Sequence, residues 1–147
     1  MIHLELINDQ DLHAPDAAQF QNWADLLANQ LQTSGAVCIK IVDATESQTL
    51  NSQYRGKDQP TNVLSFPAEI PDFVESDQLG DLAICAEVVE REAAEQNKAV
   101  EHHWAHMTIH GLLHLLGYDH IEDEEAESME ALEVQLLSAL EVANPYQ

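Results

Sequence analysis

The patterning of this chain predicts an α+β fold, a single domain spanning residues 1–147 with four strands and about five helices. Strand-like runs, either alternating or β-branched, occur four times, and segments with helical periodicity fall between most of them. No internal repeat, low-complexity segment or interdomain linker divides the 147 residues, a length that can bury a proper core without disulfides or obligatory oligomerisation.

Residues Ile2 to Ile7 alternate as a strand with one buried face. Pro15-Asp16 then opens a helix, with Asp16 as N-cap, Gln19 three residues on, and Phe20, Trp23, Leu27 and Leu31 along one face. After Gly35, Ala36 to Val42 reads as an internal strand interrupted only by Lys40. Thr45-Glu-Ser-Gln48 has the form of a capping box, which predicts a short helix over 46–54 with Leu50 and Tyr54 facing inward. Arg55 to Pro60 is turn-rich and leads into a strand, Thr61 to Phe66, closed by Pro67. The unpatterned stretch 68–78 is expected to be a mobile loop. Leu79 to Ala86 forms the fourth strand, and an acidic helix follows from about Glu87 to Gln96. The next helix, near Lys98 to Leu116, is apolar nearly all round from Met107 onward apart from its histidines, so it is expected at the centre of the core. The last helix, roughly 123–142, should bury Met129, Leu132, Leu136 and Leu140. Its acids, from Glu122 to Glu125 with Glu127, Glu130 and Glu133, should form a solvated face.

Five Lys and Arg stand against 27 Asp and Glu, a formal charge of -22. Such a field repels polyanions and anionic membranes and attracts divalent cations, and it disfavours nonspecific nucleic-acid binding, which needs many cationic contacts. No apolar run approaches the ~20 residues of a membrane span. The N-terminus lacks the cationic start and apolar run of a secretory signal. Cys38 and Cys85 are solitary in apolar runs and read as buried core thiols. The expected compartment is the cytoplasm.

The chemistry concentrates in His110-Gly-Leu-Leu-His-Leu-Leu-Gly-Tyr-Asp-His120. His110 and His114 lie one turn apart on one helical face, and Gly117 can end the helix so that His120 approaches from another direction. Three imidazoles with a fourth position open describe a catalytic zinc site better than a closed structural one. His106, His110 and His114 cannot all serve one ion, since i and i+8 stand ~12 Å apart along the axis. Only the pair His110 and His114 places the next histidine just past a glycine, which leaves His106 to the core or to the support of the site. His102 and His103 read as surface residues, and His3 and His13 have no partner nearby in sequence. The histidine spacing is that of the zinc-peptidase signature H-E-x-x-H-x-x-G-x-x-H, yet Gly111 stands where that signature has its general base. Ordinary peptidase chemistry would therefore lack its proton acceptor.

This motif, with Tyr54-Arg-Gly-Lys-Asp-Gln-Pro-Thr-Asn-Val-Leu-Ser-Phe-Pro67 and Leu79-Gly-Asp81 in the same order, resembles the bacterial YbeY family of endoribonucleases and rRNA maturation factors. The resemblance implies a small mixed sheet flanked by helices around a zincin-like metal helix. It implies one zinc ion on His110, His114 and His120, and the family's loop arginine at Arg55. The implied activity is metal-dependent cleavage of single-stranded RNA in 16S rRNA 3′-end maturation and ribosome quality control, with the ribosome or its proteins as partners and no membrane.

Arg55 and His114 are the residues expected to act in catalysis. A guanidinium can grip a phosphate through two parallel hydrogen bonds and stabilise charge in the transition state, and Lys57 would be an accessory contact. Asp81 and Asp119 are candidates for carboxylates that orient a ligating imidazole, or for turn caps. Ser65 is assigned to strand packing. A zinc hydrolase of another substrate, including an atypical peptidase, and a noncatalytic assembly factor with structural zinc are the competing readings.

Overall fold

The computed structural model describes residues 1–71, 73–118 and 122–146. Its elements run β1 (Ile2–Ile7), α1 (Ala17–Leu31), β2 (Gly35–Val42), α2 (Ala44–Arg55), β3 (Val63–Pro67), β4 (Gln78–Cys85), α3 (Ala86–Glu95), α4 (Val100–Leu115) and α5 (Asp123–Ala139). This is the expected α+β class, with four strands in one sheet of order β1-β2-β4-β3. β1, β2 and β4 are parallel while β3 runs antiparallel to β4, so the sheet is mixed. Parallel neighbours require crossovers. Helix α1 provides the one between β1 and β2, and α2 with β3 provides the one between β2 and β4.

Alternation along β2 separates the two faces of the sheet. Val37, Ile39 and Ile41 turn to the main core, where they meet Phe20 and Leu27 of α1, Ile109 and Leu112 of α4, and Leu136 of α5. The other face carries a smaller cluster, in which Leu64, Ala83 and Cys85 are covered by Leu50 of α2 and by Phe66. Helix α2 covers only part of that face. Cys38 and Lys40 are left half-buried there, which corrects the expectation that both cysteines are core thiols: Cys85 is buried, Cys38 is not. The reason is the period of two, which sets Cys38 on the same face as Lys40.

Asp16 caps α1 as expected, its carboxylate accepting from the Gln19 N–H at 2.9 Å. The cap of α2 differs from the expectation. Asp43, with an extended backbone, accepts from the Glu46 N–H at 2.8 Å, whereas Thr45 already lies inside the helix. A capping residue must sit just outside the helical backbone, and Asp43 is the first polar side chain that does. Tyr54 also departs from its expected inward position: it is 66% exposed, one turn beyond Leu50, with its ring set edge-on against Phe66 at 4.8 Å.

Candidate metal centre and cleft

Helix α4 is the most deeply buried helix of the fold, with Trp104, Ala105, Met107, Ile109, Leu112, Leu113 and Leu115 all buried. Gly111 explains how it comes so close to the sheet. A Cβ there would stand 2.9 Å from one methyl of Leu82 and 3.2 Å from Val63, so backbone and not side chain meets strands β3 and β4. Ser65 reinforces the contact by donating its hydroxyl to the Gly111 carbonyl at 3.3 Å. The glycine standing in place of a peptidase glutamate thus has a packing cause. The helix ends as expected at Gly117, whose φ of 101° is left-handed and whose N–H bonds the His114 carbonyl at 3.0 Å.

Seating α4 this way lines up four histidines. The ring centroids of His103 and His106 lie 5.9 Å apart, those of His106 and His110 6.3 Å, and those of His110 and His114 4.7 Å. His103, expected at the surface, is buried and bonded through Nε2 to Glu92 at 2.9 Å. Its spacing to His106 and His110, three and seven residues, places it on their face. Burial pushes its pKa below the usual 6.5, against the opposing pull of the Glu92 carboxylate. His106 is buried, in keeping with a core role.

Glu133 of α5 is the larger correction. Expected on the solvated acidic face, it is fully buried, with Oε1 bonded to His110 Nδ1 and Oε2 accepting from the Tyr146 hydroxyl. His106 Nε2 stands 3.6 Å from the same Oε2. Burial alone would raise the carboxyl pKa, but the bonds to His106, His110 and Tyr146 outweigh it and hold the pKa at about 2. The Tyr146 hydroxyl is pushed up in turn, by burial and by its bond to the Glu133 carboxylate. The other acids expected on that face, Glu122 to Glu125 with Glu127 and Glu130, are exposed.

His110 and His114 open onto a cleft of about 1010 Å³, whose lining also includes Tyr54, Arg55, Lys40, Cys38 and Asp81. The structure therefore brings together Arg55, His110 and His114, three of the residues singled out from sequence. Lys57 is exposed and does not line the cleft. His120 and Asp119 lie outside the described residues. Lys40 is paired with Glu46 at 2.7 Å, while Arg55, exposed at the end of α2, forms no salt bridge among the described residues.

The donor chemistry suits a metal ion. His106, His110 and Glu133 bring three potential ligand atoms within 4.8 Å of one another. Both oxygens of Glu133, however, already accept hydrogen bonds, and its carboxylate is closed to solvent. His110 and His114, in contrast, are half-buried, face the cleft and have rings close enough for one nitrogen of each to share an ion. A carboxylate behind His110 is what a ligating imidazole normally has, since it fixes the ring through the nitrogen that is not on the metal.

An α+β domain that holds a histidine pair on a buried helix at the wall of a cleft, with an arginine lining that same cleft, is the architecture that these observations define. Residues 6–141 match the family described as Endoribonuclease YbeY, and the chain belongs to that family. Membership places it among endoribonucleases of rRNA maturation. The fold is also similar to the solution structure of TM1509 from Thermotoga maritima, with a TM-score of 0.62 and 28% identity over 96% of this chain and 92% of that one. Among the described residues no helix is long and apolar enough to cross a membrane.

Proposed function

We propose that the protein is a metal-dependent endoribonuclease that cuts single-stranded RNA in this cleft, acting in the cytoplasm on 16S rRNA during 3′-end maturation and ribosome quality control. The observation that carries the reading is that Arg55 and the His110–His114 pair line one cavity in a chain of this family. The proposed occupant is one zinc ion, held by His110, His114 and His120. Bound there, zinc would polarise a phosphoryl oxygen or lower the pKa of water toward ~7.

The chain's own groups do the rest. Arg55 grips the phosphate next to the scissile bond, and its fixed charge stabilises the negative charge that builds in the transition state. Tyr54, exposed beside Arg55, offers an aromatic face on which a base can stack. The depth of α4 in the core holds the histidines in place before substrate arrives, so little reorganisation is needed at the moment of reaction. A peptidase reading finds no support at Gly111, where a glutamate side chain would drive into Leu82 and Val63.

Labelled single-stranded RNA incubated with the protein before and after chelation, beside casein as a control, tests the reading. Cleavage of RNA that is lost on chelation, restored by zinc and abolished in His114→Ala is the expected result. Undiminished cleavage by the chelated protein would overturn it.

A further inference from the structure

Tyr146 reaches back from beyond α5 to the carboxylate behind His110. Its hydroxyl donates to Glu133 Oε2, and its ring stands edge-on to His106 with centroids 5.6 Å apart. The tail is itself held in shape, since the Tyr146 N–H bonds the Asn144 side chain at 2.8 Å. His106 Nε2, 3.3 Å from the same hydroxyl, completes the group. The result is a directional chain. The tyrosine proton points at one carboxylate oxygen, the other oxygen faces His110 Nδ1, and an ionised carboxylate can only accept.

We propose that Tyr146 and Glu133 are positioning residues for the metal centre, with Tyr146 fixing the Glu133 carboxylate and Glu133 fixing His110 as the Nδ1–H tautomer with its ring turned to the cleft. The inference rests on reading His110 as a metal ligand. An acceptor-only group on Nδ1 makes the proton reside there, which assigns the lone pair to Nε2, the form a divalent cation requires. Without the tyrosine, Glu133 loses the donor that holds Oε2 and can rotate about its last torsion, so its grip on His110 slackens. Neither Glu133 nor Tyr146 is among the residues that line the cleft.

Zinc affinity by chelator competition, and the ring-nitrogen shifts of His110 in the metal-free protein, read this directly without any turnover. In Glu133→Gln, zinc affinity is expected to fall about 10- to 100-fold, and the His110 shifts to move toward the Nε2–H form. Tyr146→Phe should move both in the same direction by a smaller factor. If Glu133→Gln does not fold, Tyr146→Phe, which removes one hydroxyl, decides the matter. Wild-type affinity and tautomer in the folded variants would overturn the clamp, as would a lowered melting temperature with both unchanged, since packing alone would then explain the contacts. His110→Ala separates the two levels. Zinc bound by the wild type and lost in His110→Ala, with the clamp variants unaffected, sinks the clamp alone. A wild type that takes up no zinc sinks the ligand reading and the clamp with it.

Discussion

Arg55 is exposed and free of salt bridges among the described residues, so its replacement tests catalysis with little cost to folding. Arg55→Ala should lower kcat/KM for RNA by about 100-fold, the scale of losing one charge-stabilising donor, with an unchanged melting temperature. Arg55→Lys should restore only part of it, because a lysine cannot make the paired bonds of the guanidinium fork. Gly111 behaves in the opposite way. Alanine at a helix interior gains about 1 kcal/mol over glycine, but overpacking a core costs about 1–3 kcal/mol. Two methyls of buried Leu82, at 2.9 and 3.0 Å, stand in the way of the added carbon. Gly111→Ala is therefore expected to be less stable than the wild type in urea unfolding, and Gly111→Glu not to fold. At this scale the sequence was legible where spacing alone decides. The His110–His114 pair and the stop at Gly117 were read from intervals of four and three. Glu133 was not, because its acidic neighbours on α5 suggested a solvated face. The signal was its position, four residues after Met129 and three before Leu136, which puts it inside the apolar stripe. Nothing in sequence pointed to Tyr146, whose role depends on where the chain returns after α5.

Helix boundaries were read to within a few residues, and the misreadings were of caps and faces. The cap of α2 can be checked directly: Asp43→Ala should cost about 1 kcal/mol, while Thr45→Ala, inside the helix, should cost much less. For α4 the buried His103 makes stability depend on pH. Its folded pKa lies below its usual 6.5, so on acidification the unfolded chain takes up a proton first. The folded state is then favoured above about pH 6.5, and stability falls as pH drops below it. Glu133 adds a loss of the same sign lower down, since its folded pKa of about 2 is below the 4.5 of a free carboxyl. Urea midpoints of metal-free protein should decline in two stages, and His103→Gln should remove the upper one. The burial of His103 was hidden because Glu101 and His102 beside it are polar and exposed, so the start of α4 resembled a solvated end.

The charge of -22 governs how the whole molecule meets RNA. With one or two cationic contacts at the cleft, affinity for free single strands should be weak, and its log–log salt slope only about -1. A slope several times steeper would require a basic surface that the composition does not offer. Self-repulsion should also make the melting temperature rise with added salt, as screening relieves it. Strand number, helix number and class were legible because the periodic runs are clean. The antiparallel placement of β3 at the sheet edge was not readable from those runs, since pairing partners are a property of the closed sheet. Nor could the intervals show the cleft, which lies over the face that carries Cys38 and Lys40. The close seat of Gly111 on Leu82 and Val63 gives heat a route to the proposed site. The histidines hold their places only while that part of the core is tight, so mild loosening of the sheet should release them before the chain unfolds. Substitutions such as Leu82→Ala, which touch no substrate, are therefore expected to yield temperature-conditional enzymes, able to cut RNA in the cold and inactive a few degrees higher.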